Sequence, residues 1–131
     1  MSRSKSNLSF LWQVRQIEAE HILNELLKIE FPEISKKDVD VVIAPIEKRR
    51  AVGRLCRNFA FKNWNLILIQ AYDYEKYFPN LKELRETLRH ELLHIVTGRD
   101  DDFIFELEAK KRGIEIHKEI KSEEENKIWR F

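Results

Sequence analysis

A single cysteine, Cys56, is present among the 131 residues of this chain. One cysteine excludes an internal disulfide and a zinc site built from several thiolates of one chain, and it makes a reducing, intracellular setting the simpler expectation. No apolar run approaches the roughly 20 residues of a membrane-spanning helix. The basic start, MSRSKSNLSFLWQ, is not followed by an apolar segment as long as a signal peptide needs. We therefore predict a cytoplasmic protein that does not enter a membrane.

A charge excess of one sign is also missing, since 24 basic residues are balanced by 23 acidic ones and the net charge is +1. Composition therefore does not indicate a protein that binds nucleic acid mainly by electrostatic attraction. One local basic run is predicted to be a solvated edge rather than a phosphate site: Lys48, Arg49, Arg50, Arg54 and Arg57. The 3 glycines and 3 prolines are too few to mark a linker. We predict one domain, residues 1–131, in which residues 121–131 are a charged C-terminal tail with an apolar end.

The hydrophobic pattern predicts an α+β fold in which one amino-terminal helix precedes a small three-stranded sheet. Ser9 is the predicted N-cap of that helix, which ends at Phe31 before a proline. Its apolar residues at helical spacing are Phe10, Val14, Ile17, Ile22, Leu26 and Ile29. Stretches rich in β-branched residues predict three strands, the first from Val39, the second within residues 51–61 and the third in WNLILIQAY.

Two further helices are predicted after the sheet. Asn80 is a good N-cap, and Glu83 three residues later can close a capping box. The expected buried stripe of this helix is Leu81, Leu84, Leu88, Leu92 and Ile95. Gly98 suits a C-terminal cap, and the acidic run at residues 100–102 favours the start of another helix that continues to Gly113.

The first of these two helices contains the motif His-Glu-x-x-His at residues 90–94. Residues four apart lie on one helical face, so His90 and His94 have the spacing of two ligands of one tetrahedral zinc ion. Glu91 cannot join them, but it can take a proton from a zinc-bound water, whose pKa the metal lowers from about 15.7 to about 7. The motif therefore predicts a zinc site held by His90 and His94, with Glu91 as the catalytic base.

A catalytic zinc ion takes three protein ligands and a water, so a third donor is expected after this helix. Carboxylate oxygens are acceptable zinc donors, and chemistry alone does not choose among Asp100, Asp101, Asp102, Glu106 and Glu108. Three side chains are candidates to stabilise a developing oxyanion: Tyr72, Tyr74 and Arg99. The remaining histidines, His21 and His117, are predicted to be ordinary surface or core-edge residues.

With these features the sequence resembles the SprT-like family of zinc metallopeptidases. The resemblance rests on the basic stretch RRAVGRLCR, on the order of helix and strands, on the His-Glu-x-x-His helix and on two spacings after it. Phe105 and Gly113 stand where the family has an aromatic residue and a glycine, which puts Asp101 at the position of the family's third ligand. The resemblance covers roughly residues 10–116 and implies zinc-dependent hydrolysis of peptide bonds.

Two departures from the family pattern concern the third ligand and the partners. Asp101 replaces the usual histidine, and the cysteine-rich zinc ribbon is missing, so the family's DNA-linked roles transfer only weakly. The segment ELEAKKRG is also similar to the glutamate-bearing helix of gluzincins and archaeal minigluzincins, which implies Glu108 as the alternative third ligand. Seven residues apart, Asp101 and Glu108 are expected to share a helical face, so that one could bind zinc and the other orient a histidine. The aromatic and glycine spacings favour Asp101.

The predicted function is that of a zinc metallopeptidase, an endopeptidase acting on a protein or peptide substrate. The alternative is a catalytically inactive binding module of zincin fold for a protein or nucleic-acid partner, and a third hypothesis is hydrolysis of a non-peptide amide. The apolar end of the tail, Ile128, Trp129 and Phe131, is expected to cover the core. By resemblance to minigluzincins, the tail could instead lie across the cleft and block it.

Overall fold

The computed structural model describes residues 2–56, 64–99 and 102–115, with side chains described from residue 10 onward. These parts of the chain form seven elements: α1 (Ser2–Ile29), β1 (Val39–Ala44), β2 (Gly53–Cys56), β3 (Asn65–Gln70), α2 (Tyr74–Tyr77), α3 (Leu81–Thr97) and α4 (Phe103–Lys111). A short 3-10 helix, Lys36–Asp38, precedes β1. The predicted α+β class, with an amino-terminal helix and a three-stranded sheet, is confirmed.

The sheet has the strand order β1-β3-β2, with β1 parallel and β2 antiparallel to the central strand. Successive side chains of a strand point to opposite faces, and the buried set belongs to the face on which α1 and α3 pack. The core-facing residues are Val39, Val41, Ile43, Gly53, Ile67 and Ile69. On the opposite face Val42 and Arg54 are exposed and Leu68 is half-buried. The short strand β2 is therefore an edge strand that lies beside α3.

Helix α1 departs from its prediction at its start and on its apolar face. It begins at Ser2, so Ser9 lies inside the helix and is not its N-cap. The buried face consists of Ala19, Ile22, Leu23, Leu26 and Leu27, whereas Phe10, Ile17 and Ile29 are 68%, 64% and 74% exposed. At 3.6 residues per turn, the face through Ile22 and Leu26 continues through Leu23 and Leu27 and not through Ile17, while Ile29 lies at the margin of that face and is the last residue of the helix.

Helix α3 agrees with its prediction at both ends. The Asn80 side chain accepts a hydrogen bond from the Glu83 N–H at 3.2 Å, as an N-cap does. Gly98 adopts a left-handed conformation with φ 65°, and its N–H donates to the His94 carbonyl at 2.9 Å. The predicted stripe is completely buried at Leu84, Leu88 and Leu92, whereas Leu81 is exposed. The His-Glu-x-x-His motif thus occupies the last two turns of a helix that is capped at both ends.

A buried carboxamide fixes the chain between β1 and β2. The Gln70 side chain is fully buried, and its Oε1 accepts the N–H groups of Ile46 and Tyr72 at 2.9 and 3.1 Å. Its Nε2 lies 3.0–3.4 Å from four carbonyl oxygens, those of Ile46, Lys48, Arg49 and Ala51. These bonds hold residues 46–51 in one arrangement, which fixes the point at which β2 begins beside α3.

Several predictions fall on parts of the chain outside the described residues. They are Arg57 and the continuation of the second strand towards residue 61, the third-ligand candidates Asp100 and Asp101, and the roles of His117 and the tail 121–131. In the portion that is described, no helix is both long and apolar enough to cross a membrane.

Candidate metal centre

The two motif histidines converge at their Nε2 atoms, which lie 3.2 Å apart. Both rings project from the same side of α3, and their centroids are 4.8 Å apart. His94 is 4% exposed and Glu91 between them in sequence is 1% exposed. His90 is half-buried, so the motif is largely buried and is not a solvated helix face.

A main-chain carbonyl determines which nitrogen of His94 faces its partner. Nδ1 of His94 lies 2.8 Å from the Arg99 carbonyl oxygen, which can only accept a hydrogen bond. The hydrogen of a neutral His94 ring is therefore assigned to Nδ1, and the lone pair to Nε2. An imidazole held in this way by a carbonyl is the usual state of a histidine that binds a metal through its other nitrogen.

The distance between the two Nε2 atoms fits a shared tetrahedral ion. Two nitrogen ligands at 2.0–2.1 Å from zinc in tetrahedral geometry lie about 3.3–3.4 Å from each other. The observed separation is 3.2 Å. Without a metal the same contact is a hydrogen bond, and since the His94 hydrogen is on Nδ1, His90 is then the donor. The residues present therefore fit a zinc ion that would take the place of that hydrogen.

Phe105 on α4 forms the apolar wall behind the histidine pair. Its ring stacks on His94 with centroids 4.3 Å apart and an interplanar angle of 20°, and it meets the edge of His90 at 5.3 Å. Phe105 is fully buried. An apolar shell of this kind limits the access of water to a metal site and lowers the local dielectric. Phe105, whose spacing from the motif supported the family resemblance, thus packs against both histidines of the site.

Asp102 links the start of α4 to His94. One of its carboxylate oxygens accepts the Phe105 N–H at 2.9 Å, and the other accepts the Arg99 Nε at 2.7 Å. The carbonyl of the same Arg99 contacts His94. The hydrogen bond from the Phe105 N–H is the main reason that the pKa of Asp102 lies below its usual range. The Arg99 guanidinium lowers this pKa further. Asp102, a candidate third ligand, therefore serves in this arrangement as the N-cap of α4 and the anchor of Arg99.

The Glu91 carboxylate lies against the edge strand β2. A methyl group placed on Gly53 would be 3.3 Å from Oε2 of Glu91 and 3.0 Å from Cγ2 of Thr87, one turn earlier on α3. The helix and the strand therefore approach each other closely at a position where β2 has no side chain. Buried between them, Glu91 is held in a defined place one residue after the first histidine.

The third ligand is not found among the described residues. Asp101, the favoured candidate, lies outside them, and within residues 2–56, 64–99 and 102–115 no group of three His, Cys, Asp or Glu side chains is placed to hold a metal ion. Glu108, the alternative, accepts a hydrogen bond from Arg112 Nε at 2.7 Å, and this bond is the main cause that lowers the pKa of Glu108. Arg112 also pairs with Glu33 beyond the end of α1. In this arrangement Glu108 belongs to an ion-pair cluster and not to the histidine pair.

The expectation that Asp101 and Glu108 share a helical face involves a residue outside the described parts of the chain and stays a prediction. Helix α4 begins at Phe103, after the N-cap Asp102. The acidic run favoured a helix start, as predicted, but the capping residue is its last member.

The predicted oxyanion candidates have other contacts. Tyr74 is buried in the core, with Arg15 over its ring at 4.3 Å, and burial raises the pKa of its hydroxyl. Tyr72 lies under the Arg49 guanidinium at 3.9 Å. Arg99 contacts His94 through its carbonyl and Asp102 through its guanidinium. Of the three, Arg99 is the one that hydrogen-bonds to the histidine pair within the described parts of the chain.

A cavity of about 480 Å³ lies apart from the histidines. It is lined by Pro45, Ile46, Glu47, Lys48, Ala51, Arg54 and Leu68, of which Arg54 and Leu68 are on the sheet face opposite to α3. Its rim carries both signs of charge, Glu47 as well as Lys48 and Arg54, so charge selects no class of ligand. Only part of the basic run reaches this cavity.

Three features of the site were not predicted: the close approach of Gly53 to Glu91, the carbonyl of Arg99 on His94, and the stacking of Phe105. Each joins residues from different elements or a loop, and hydrophobic periodicity contains no information about such contacts. The glycine in a short strand was the one available signal, since glycine inside a strand often marks close approach of another part of the protein.

Comparisons of the chain with protein-family models, with curated protein sequences and with solved structures gave no match. The resemblance to SprT-like metallopeptidases therefore stays a prediction, and the geometry of the histidine pair is what a function can be argued from.

Proposed function

We propose that this protein is a zinc-dependent metallopeptidase in which Glu91 transfers the proton that peptide hydrolysis requires. The observation that carries the proposal is the pair of Nε2 atoms 3.2 Å apart, one of them held in its ligand tautomer by the Arg99 carbonyl. His90 and His94 would hold the ion. Bound zinc supplies a lowered pKa for a coordinated water and polarisation of the scissile carbonyl.

The part assigned to Glu91 is that of a general base and then a general acid. Its carboxylate takes a proton from the attacking water and passes it to the amine that leaves when the peptide bond breaks. The side chain is 1% exposed and lies between α3 and β2, so its position is fixed by packing before substrate binds. Such positioning supports catalysis because a proton acceptor has to be within hydrogen-bond reach of the water.

Asp101 remains the proposed third ligand, with Glu108 as the alternative. The Arg112 bond on Glu108 argues for Asp101, since a carboxylate paired with a guanidinium would have to give up that partner to bind zinc. A cytoplasmic setting and a protein or peptide substrate belong to the same proposal. A nucleic-acid partner is supported only by the family resemblance.

The test combines zinc binding with hydrolysis in matched variants of the full chain. Glu91→Gln removes the proton acceptor and keeps the shape of the side chain, whereas Glu83→Gln changes a glutamate of the same helix, three turns from His94. Zinc content is measured by mass spectrometry, and hydrolysis with denatured casein and a random mixture of fluorogenic peptides. We expect equimolar zinc in all three proteins and a loss of hydrolysis by about 10²–10⁴-fold in Glu91→Gln alone.

The opposite outcomes separate the hypotheses. A wild-type protein that binds zinc but hydrolyses neither casein nor peptides would overturn the proposal and favour the binding module. Hydrolysis that survives in Glu91→Gln would reject the role of Glu91. A protein that binds no zinc would reject the metal centre itself.

A further inference from the structure

Gly53 is the first residue of β2 and pairs with Ile69 of β3. Its own backbone does not require glycine, because the glycines with positive φ are Gly98 and Gly113. Inside a strand, a glycine gives up the packing that a side chain would contribute. The reason for a glycine at this position is therefore to be found in its neighbours.

The three heavy atoms nearest to a methyl group built on Gly53 define a tight space. They are Thr87 Cγ2 at 3.0 Å, Glu91 Oε2 at 3.3 Å and the Leu68 carbonyl oxygen at 3.6 Å. Thr87 and Glu91 are four residues apart on α3 and so lie on one face. The methyl group would contact both side chains, on the side of the strand that faces α3.

Of the two tight neighbours, the Glu91 carboxylate is the one that can move. The Thr87 methyl group is attached directly to Cβ, so it can move away only by a change of the χ1 rotamer. The Glu91 carboxylate stands at the end of three rotatable bonds. A side chain at position 53 therefore displaces the carboxylate, while His90 and His94 stay fixed by their own contacts.

We propose that Gly53 is a positioning residue for Glu91: the bare Cα of the edge strand leaves the space in which the carboxylate lies. The inference rests on the proposed role of Glu91 in proton transfer. The metal ligands give no reason for the glycine in the stretch RRAVGRLCR, and this inference supplies one. It also gives the short strand β2 a part in the reaction, since the strand sets the distance to α3.

The experiment uses Gly53→Ala, Thr87→Ser and the two changes together in the full chain. Gly113→Ala is the control for a glycine replaced elsewhere, because a methyl group there meets no atom within 4 Å and only the positive φ opposes it. Peptide hydrolysis gives kcat and KM with the fluorogenic mixture, a chelator competition gives the zinc affinity, and thermal melting gives the stability.

We expect Gly53→Ala to lower kcat by about 10-fold, with KM and zinc affinity within about threefold of wild type, because contacts of 3.0 and 3.3 Å require a shift smaller than the roughly 1 Å misplacement that can cost about 10²-fold. Thr87→Ser removes the closer of the two neighbours, so adding it to Gly53→Ala should recover part of the lost kcat, and the remaining 3.3 Å contact with Glu91 should account for the rest of the loss. Thr87→Ser alone and Gly113→Ala should keep the wild-type kcat. A merely structural role of Gly53 would lower stability and zinc binding together, without rescue.

The outcomes distinguish this inference from the proposed function. An inactive wild-type protein overturns both, whereas an active wild type with an equally active Gly53→Ala overturns the positioning role alone. If Gly53→Ala does not fold, the double variant is compared with Thr87→Ser. A kcat lower by about threefold or more at unchanged zinc affinity then supports the inference, and an equal kcat overturns it.

Discussion

Gln70 and the histidine pair are two buried polar centres of the same fold, and their polar atoms are engaged in different ways. Gln70 bonds only to main-chain groups, accepting two N–H groups and facing four carbonyl oxygens. His90 and His94 instead turn the same atom, Nε2, towards each other at 3.2 Å. Gln70 fixes a loop by forming hydrogen bonds with its main-chain groups. The histidine pair instead directs two nitrogen atoms of the same kind, both possible metal ligands, towards one position.

The difference follows from the chemistry of the side chains. A carboxamide has both donors and acceptors, so the backbone alone can satisfy it inside a protein. Two neutral imidazoles facing each other have room for one hydrogen between them, whereas one metal ion can accept both lone pairs. The comparison therefore predicts that Gln70 acts on folding and that the histidines act on metal binding. The predictions below separate these effects in order of size.

Gln70→Met should give the largest loss of stability. The change keeps the length of the side chain but removes the acceptor of the buried Ile46 N–H and of the part-buried Tyr72 N–H, and it removes the donor to the buried carbonyls of Ile46 and Ala51. At about 1–3 kcal/mol for each of these N–H groups, we expect a loss of about 2–6 kcal/mol in the free energy of unfolding. Urea unfolding at neutral pH measures it.

Gln16→Met is the matched control for this change. Gln16 on α1 bonds the Ile43 N–H and the Val41 carbonyl along the edge of β1, but it is only half-buried. Water can replace those bonds, so the loss should be clearly smaller than at Gln70. Equal losses in the two variants would contradict the view that Gln70 is the folding centre.

His94→Ala should abolish the stabilisation by zinc. A ligand that binds only the folded state stabilises it by about 2.7 kcal/mol when its free concentration is 100 times its Kd. We expect this shift in the melting of the wild type and of His21→Ala, whose side chain is 72% exposed and pairs with Glu25. An equal zinc shift in His94→Ala would show that the histidine pair is not the metal site.

The fold was predictable from the sequence where local patterns determine it. Asn80, Gly98 and the leucines of α3 gave a helix with the correct ends, because capping and periodicity are properties of neighbouring residues. The start of α1 was wrong for the same reason, since Ser9 is a good cap by type but the helix continues through it to Ser2. A local rule recognises a suitable cap and does not exclude a longer helix.

The site was predictable only in part. Spacing alone placed His90, Glu91 and His94 on one helix, and the structure brings the two histidines into contact. The contacts of these residues with Gly53 and Phe105 depend on how strand and helices pack, which the order of residues along one element does not determine. For the same reason Gln70 was seen as one residue of a strand and not as the centre of a loop.

Glu108→Gln should have the smallest effect on zinc affinity. It tests whether this carboxylate belongs to the metal centre or to the ion pairs of Arg112. Its bond to Arg112 is local to α4, and the side chain is 26% exposed, so we expect an unchanged zinc affinity by chelator competition. A fall by about 10–100-fold or more would instead identify Glu108 as part of the metal centre. Glu33→Gln, at the other carboxylate bonded to Arg112, is the matched control.

The pH dependence of stability tests the same assignment. The Arg112 hydrogen bond holds the pKa of Glu108 below the usual 4.5, so the folded state favours the ionised form. Stability from this pair is fully present above that unfolded value and is lost as the pH falls through the lower folded value. Urea midpoints of the wild type should therefore decline as the pH falls below about 4.5, and those of Glu108→Gln should decline less. Identical declines in both proteins would show that the Arg112 pair does not stabilise the fold, because the variant lacks the carboxylate whose protonation is being measured.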